Sequence, residues 1–194
     1  MSELAHLETA ASARKLERPR LPPEGERDYL DAHPFDLVKF PLPKDILVEE
    51  VMIPMRDGIR LAANIFRRKA GPPMPVITTM TPYGKDQYDL WNLFQDAPVG
   101  TVPGGGGFYL GRIEISDRCA FEGPDPGFWV PNGYAVALID QPGRGRSESN
   151  PTDTPGPEAR WWDVMAWLEQ QPWCTGKVAM TDPPVPYGVT LSGL

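Results

Sequence analysis

The 194-residue chain is long enough for one domain with a hydrophobic core, and 41% hydrophobic with 23% charged residues is the composition of a soluble globular protein. A net charge of −7 argues against a nucleic-acid partner, whose phosphates call for a basic surplus. No run nears the roughly 18 apolar residues of a membrane span, the N-terminus has no apolar signal core, and Cys119 and Cys174 are too few for a disulfide framework, so a cytoplasmic chain with reduced thiols is expected.

Residues 1–45 are polar and proline-punctuated, and are read as an N-terminal extension. ILVEEVMIPM and IRLAANIFRR then flank Arg56-Asp57-Gly58, a hairpin signal because glycine accepts φ > 0 without steric cost. PVITTM (75–80) predicts a third strand ending at Thr81-Pro82-Tyr83-Gly84, and DLWNLF (89–94) a short helix before the loop containing GGGG (104–107). GYAVALID (133–140) is almost continuously apolar, as in a strand buried on both faces of a parallel sheet. PEARWWDVMAWLEQQ (157–171) predicts a helix: Pro157 suits its first turn, Glu158 its dipole, and Pro172 stops it. Trp161, Val164, Met165 and Leu168 form its apolar stripe, widened by Trp162 and Trp167. KVAM (177–180) reads as a further buried strand. Buried strands alternating with a helix imply an open α/β sheet, whose chemistry sits at the strands' carboxyl ends.

Four stretches, "PMRDGIRLAANIFRR", "TPYGKD", "GYAVALIDQPGRGRSES" and "WDVMAWLEQQPWCTGKVAMT", occur in the order and at the spacing of one group. In them the chain resembles the X-Pro dipeptidyl-peptidase and cocaine esterase family of α/β-hydrolase serine hydrolases, over roughly residues 46–181. The resemblance implies an N-terminal, truncated portion of an α/β-hydrolase fold, with an aberrant proline-rich tail over 182–194. It also implies serine-dependent acyl transfer on a small-molecule ester or peptide. No cofactor, no nucleic acid and no membrane are expected, and two cysteines with two distant histidines offer no metal-ligand spacing. Tyr83 matches the family's tyrosine whose phenol helps form the oxyanion hole; the plainer alternative is a turn tyrosine that packs its ring. Gln141–Ser147 matches a family connection and reads as a structural turn; it lacks the Lys-Ser/Thr pair of a phosphate loop.

The nucleophile elbow departs from the pattern. Counting forward from Met180 puts the nucleophile at Pro184, and counting back from Gly188-Val189-Thr190 puts it at Val185. Proline has no N–H to donate and fixes φ, so Pro183, Pro184 and Pro186 are wrong for a strained turn that must offer an amide. Ser192 lacks the glycine two positions before it, and Ser147 has no base visible beside it. The two histidines, His6 and His33, both lie in the extension. Two readings follow: a serine-hydrolase N-terminal portion without a working triad, or a hydrolase-like module used for binding or assembly. A chain stopping at Leu194 is also expected to leave KVAM as an open apolar sheet edge. Substrate and oligomeric state are not legible.

Overall fold

The computed structural model describes residues 36–90, 112–152, 156–181 and 191–192. The strands are β1 (Asp36–Phe40), β2 (Ile46–Pro54), β3 (Arg60–Arg68), β4 (Met74–Thr81), β5 (Arg112–Ser116), β6 (Ala135–Asp140), β7 (Cys174–Met180) and β8 (Leu191–Ser192). Among the described residues two helices join them, α1 (Pro126–Trp129) and α2 (Pro157–Glu169).

The main sheet has six strands in the order β2-β3-β6-β4-β7-β8. β2 and β3 pair antiparallel across the Asp57-Gly58 turn, where Gly58 takes φ +87°, as the hairpin signal requires. β6 and β7 both run parallel to β4, one on each side. All six residues of β6 are buried, and β3 is buried from Leu61 to Phe66, because both strands are flanked by neighbours and covered on both faces.

The helix over 157–171 forms as α2, with Pro157 in its first turn and Gln170 as its C-cap. Val164, Met165 and Leu168 enter the core. Trp161 and Trp167 pack against it partly buried, but Trp162 is 57% exposed and lies off the stripe. In its place the buried face carries Arg160, 2% exposed. The strand read from KVAM begins earlier, at Cys174. Its outer edge is not open as expected: β8 pairs antiparallel with Val178 and Ala179, so backbone groups there find partners.

A second, two-stranded sheet pairs β1 with β5 in parallel, Asp36 opposite Arg112 through Phe40 opposite Ser116. The last ten residues of the segment taken as an extension thus supply a strand and a turn. Residues 91–94 of the expected short helix, and the GGGG loop, lie outside the described residues. Among the described residues no helix is long and apolar enough to cross a membrane.

Candidate active site

Because β6, β4 and β7 are parallel neighbours, their carboxyl ends lie side by side. Thr81 is paired with Asp140, and Met180 with Thr78. In such sheets connections leaving adjacent parallel strands open a crevice.

Tyr83 stands in the first of these connections. Its amide donates to Thr81 Oγ1 at 3.1 Å, Gly84 follows at φ +110°, and the side chain stays 42% exposed. Its ring meets Phe121 edge-on, centroids 5.0 Å apart. Burial of the ring, and then the Glu122 carboxylate that accepts its hydroxyl, push its pKa above the usual phenol value. The phenol therefore keeps its proton and remains a donor at neutral pH.

Behind Tyr83 the loop is tied by charge. Lys85, fully buried, places Nζ 3.1 Å from Glu50 and 2.6 Å from Asp86. Asp86 also accepts from Asn64 Nδ2 at 2.7 Å and from the Tyr88 hydroxyl at 3.2 Å. Arg146, from the connection after β6, places a guanidinium nitrogen 2.9 Å from the same Glu50. Asp140 closes the set, accepting the Lys85 amide on Oδ1 at 2.6 Å and the Arg146 amide on Oδ2 at 3.1 Å.

Residues 141–147 form a structural turn, as read. Gly143 and Gly145 take positive φ, and the Ser147 amide donates to Arg144 O. The Ser147 hydroxyl is engaged on both sides, donating to Asp140 O at 2.7 Å and accepting the Ala62 amide at 2.9 Å. That arrangement splices loop to sheet.

β7 ends at Met180, and the Thr181 amide donates back to Thr78 O at 2.8 Å. Pro184, Val185, His6 and His33 lie outside the described residues, and Ser192 is placed by its backbone in β8. Among the described residues no group of three or more His, Cys, Asp or Glu side chains is arranged to hold a metal ion.

The sequence singled out Tyr83 as a candidate and gave no sign of the contacts that mount its loop. The acidic end of a buried strand, Asp140, and a lysine two residues beyond the tyrosine were the available signals. Neither is distinctive without knowing which strands are neighbours.

A hairpin leading into parallel strands, with a helix packed on the sheet, defines part of an α/β-hydrolase fold. The chain belongs to the X-Pro dipeptidyl-peptidase (S15) family, whose pattern matches residues 57–182. It is similar to the cocaine esterase of Rhodococcus sp. (strain MB1 Bresler), 28% identical over 148 residues, covering 76% of this chain and 20% of that protein. It is also similar to the crystal structure of a CocE/NonD family hydrolase from Staphylococcus aureus, 29% identical with a TM-score of 0.51. That match covers 70% of this chain and 23% of the solved one. The chain thus spans about a fifth of the length of these relatives.

Proposed function

We propose that this chain is the N-terminal portion of a serine hydrolase that transfers acyl groups from small-molecule esters, or from X-Pro or acyl-amino-acid amides. The supporting observation is the placement of Tyr83: a protonated, partly exposed phenol on a charge-locked loop, just past the central strand of the sheet. From there its hydroxyl, on turning its proton away from the Glu122 carboxylate, serves as an oxyanion donor that stabilises charge developing on a carbonyl oxygen.

The same reading holds that the 194-residue polypeptide by itself turns over no acyl substrate. Asp182-Pro183-Pro184-Val185-Pro186 offers neither a serine nor the amide geometry of an elbow, and His6 and His33 precede the sheet. Cytoplasmic residence and reduced thiols belong to this reading.

Two experiments test it. A fluorophosphonate probe and a p-nitrophenyl ester are expected to find no labelling and no turnover by the polypeptide. Labelling at Ser147 or Ser192, with turnover lost when that serine is replaced, refutes the inactive-chain reading. For the donor role, residues 36–181 replace the matching segment of the Rhodococcus cocaine esterase. Tyr83→Phe in that chimera is expected to lower kcat by about 10²–10³-fold. A hydrolase-like module without chemistry predicts no such loss.

A further inference from the structure

We propose that Asp140 is a positioning residue, whose carboxylate sets where the Tyr83 hydroxyl stands by gripping both loops that leave β4 and β6. Its importance for catalysis rests on Tyr83 being the oxyanion donor; the grip itself rests on geometry alone.

Asp140 is the last residue of β6, 1% exposed, directly opposite Thr81 at the end of β4. Each carboxylate oxygen takes one backbone amide, Lys85 from one loop and Arg146 from the other. Hydrogen bonds to an ionised acceptor are shorter and stronger than neutral ones, so the buried carboxylate fixes both peptide units firmly. Lys85 is two residues from Tyr83 with only Gly84 between, so anchoring the Lys85 amide aims the tyrosine.

The opposite loop is shaped to this carboxylate. At Gly145, φ is +51° and an added Cβ would lie 2.1 Å from Asp140 Oδ2. Only glycine allows the backbone this close. Glu50 repeats the link from the solvent side through Lys85 Nζ and Arg146, and Ser147 secures the backbone of Asp140 itself. The Lys85–Asp140 grip is therefore buried, while the tyrosine it carries is partly exposed. An oxyanion donor needs this, since it helps only when held in place before charge develops. Asp140 touches no reacting atom and acts through the Lys85 amide.

The test uses the full chain labelled with 13Cζ-tyrosine, its Tyr83 signal assigned by Tyr83→Phe. In the unmodified protein Tyr83 is expected to titrate above the usual phenol range. Asp140→Asn turns a donor toward one of the two amides, and Gly145→Ala displaces the carboxylate without altering it. Both are expected to return the Tyr83 titration toward its ordinary value and to speed Lys85 amide exchange by about tenfold to a hundredfold. Leu168→Ala, remote from the loop, is expected to leave the Tyr83 signal where it is. An unchanged Tyr83 titration in Asp140→Asn overturns the proposal. So does a Lys85 amide in the unmodified chain that exchanges as fast as the exposed turn at Gly71, a readout available even if the variants do not fold. No loss on Tyr83→Phe in the chimera would remove the oxyanion role and leave this grip standing, so the two failures are distinct.

Discussion

Arg160 Nη2 lies 3.4 Å from Asp57 Oδ2, joining the first turn of α2 to the β2–β3 turn with side chains only 2% and 9% exposed. Asn150 Nδ2 donates to the same carboxylate oxygen at 3.1 Å. Removing one partner of a buried pair strands the other's charge away from water. Arg160→Met is expected to cost about 3 kcal/mol. The double variant Arg160→Met/Asp57→Asn is expected to be less destabilised than Arg160→Met alone, because no ion is left buried. Urea unfolding of the three chains decides; equal losses in the single and double variants count against the pair.

Acid sensitivity follows from three carboxylates. Burial alone would raise Asp57, Asp86 and Asp163, but their hydrogen bonds outweigh it and hold all three below the usual range. The partners are Asn150, Arg160 and the Ile59 amide for Asp57, mainly Lys85 and Asn64 for Asp86, and Arg56 for Asp163. A lowered folded pKa contributes stability that is complete above the unfolded value of about 4 and vanishes as pH falls through the folded one. The contribution of these groups is therefore expected to be intact from neutrality to about pH 5 and to drain away below about pH 4. Asp86→Asn should make the acid limb of the unfolding free energy shallower. An acid limb identical to that of the unmodified chain would show that Asp86 carries no such linkage.

At the alkaline end Tyr88 is the marker. Burial, and then the Asp86 carboxylate beside it, push its pKa up to about 12, while Arg118 over its ring works the other way. A raised phenol pKa contributes stability that is present below the unfolded value of about 10 and lost as pH rises through the folded one. Ultraviolet titration should show a late phenol that disappears in Tyr88→Phe. In Asp86→Asn it should move down yet stay above the ordinary value, because burial is the larger cause. A Tyr88 transition at the ordinary phenol value would contradict the packing described.

The two faces of α2 should respond differently to truncation. Leu168 is fully buried, and Leu168→Ala is expected to cost about 2–5 kcal/mol through lost transfer energy and a residual cavity. Trp162→Ala removes a larger side chain from a 57% exposed position and should cost under about 1 kcal/mol. Reversal of that order in thermal or urea unfolding would mean that the helix is rotated.

Gly127 joins α1 to the two-stranded sheet by close contact. A Cβ there would lie 2.5 Å from Ser116 Cβ and 2.8 Å from Phe40 Cε2. Gly127→Ala is expected to cost about 1–3 kcal/mol by overpacking. It should also speed exchange of the Asp117 amide, which donates to Phe40 O at 2.8 Å. Unchanged exchange there would separate α1 from the β1–β5 pair.

The hairpin over 46–68, the strands β4 and β6, and the extent of α2 were legible because each is decided locally. Asp57-Gly58 turns the chain through a conformation glycine accepts, β6 is apolar throughout, and Pro157 and Pro172 bracket a helical stripe. Trp162 misled because its size suggested burial, whereas the α2 face that meets the sheet carries Arg160 instead. DLVKF and RIEIS gave no sign of pairing: each is five residues long, and parallel partners need no adjacent turn.

Tyr83 could be singled out as a candidate because its motif is contiguous. Its mount could not, because Lys85 and Asp140 are 55 residues apart and meet only once β4 and β6 lie parallel. By itself the sequence settled the hairpin, β4, β6 and α2, since steric limits and the spacing of apolar residues act over a few neighbours. Tertiary structure alone decided which charges are buried, which glycine touches a carboxylate and which hydroxyls find partners, because a side chain's solvent and partners are supplied by residues far along the chain.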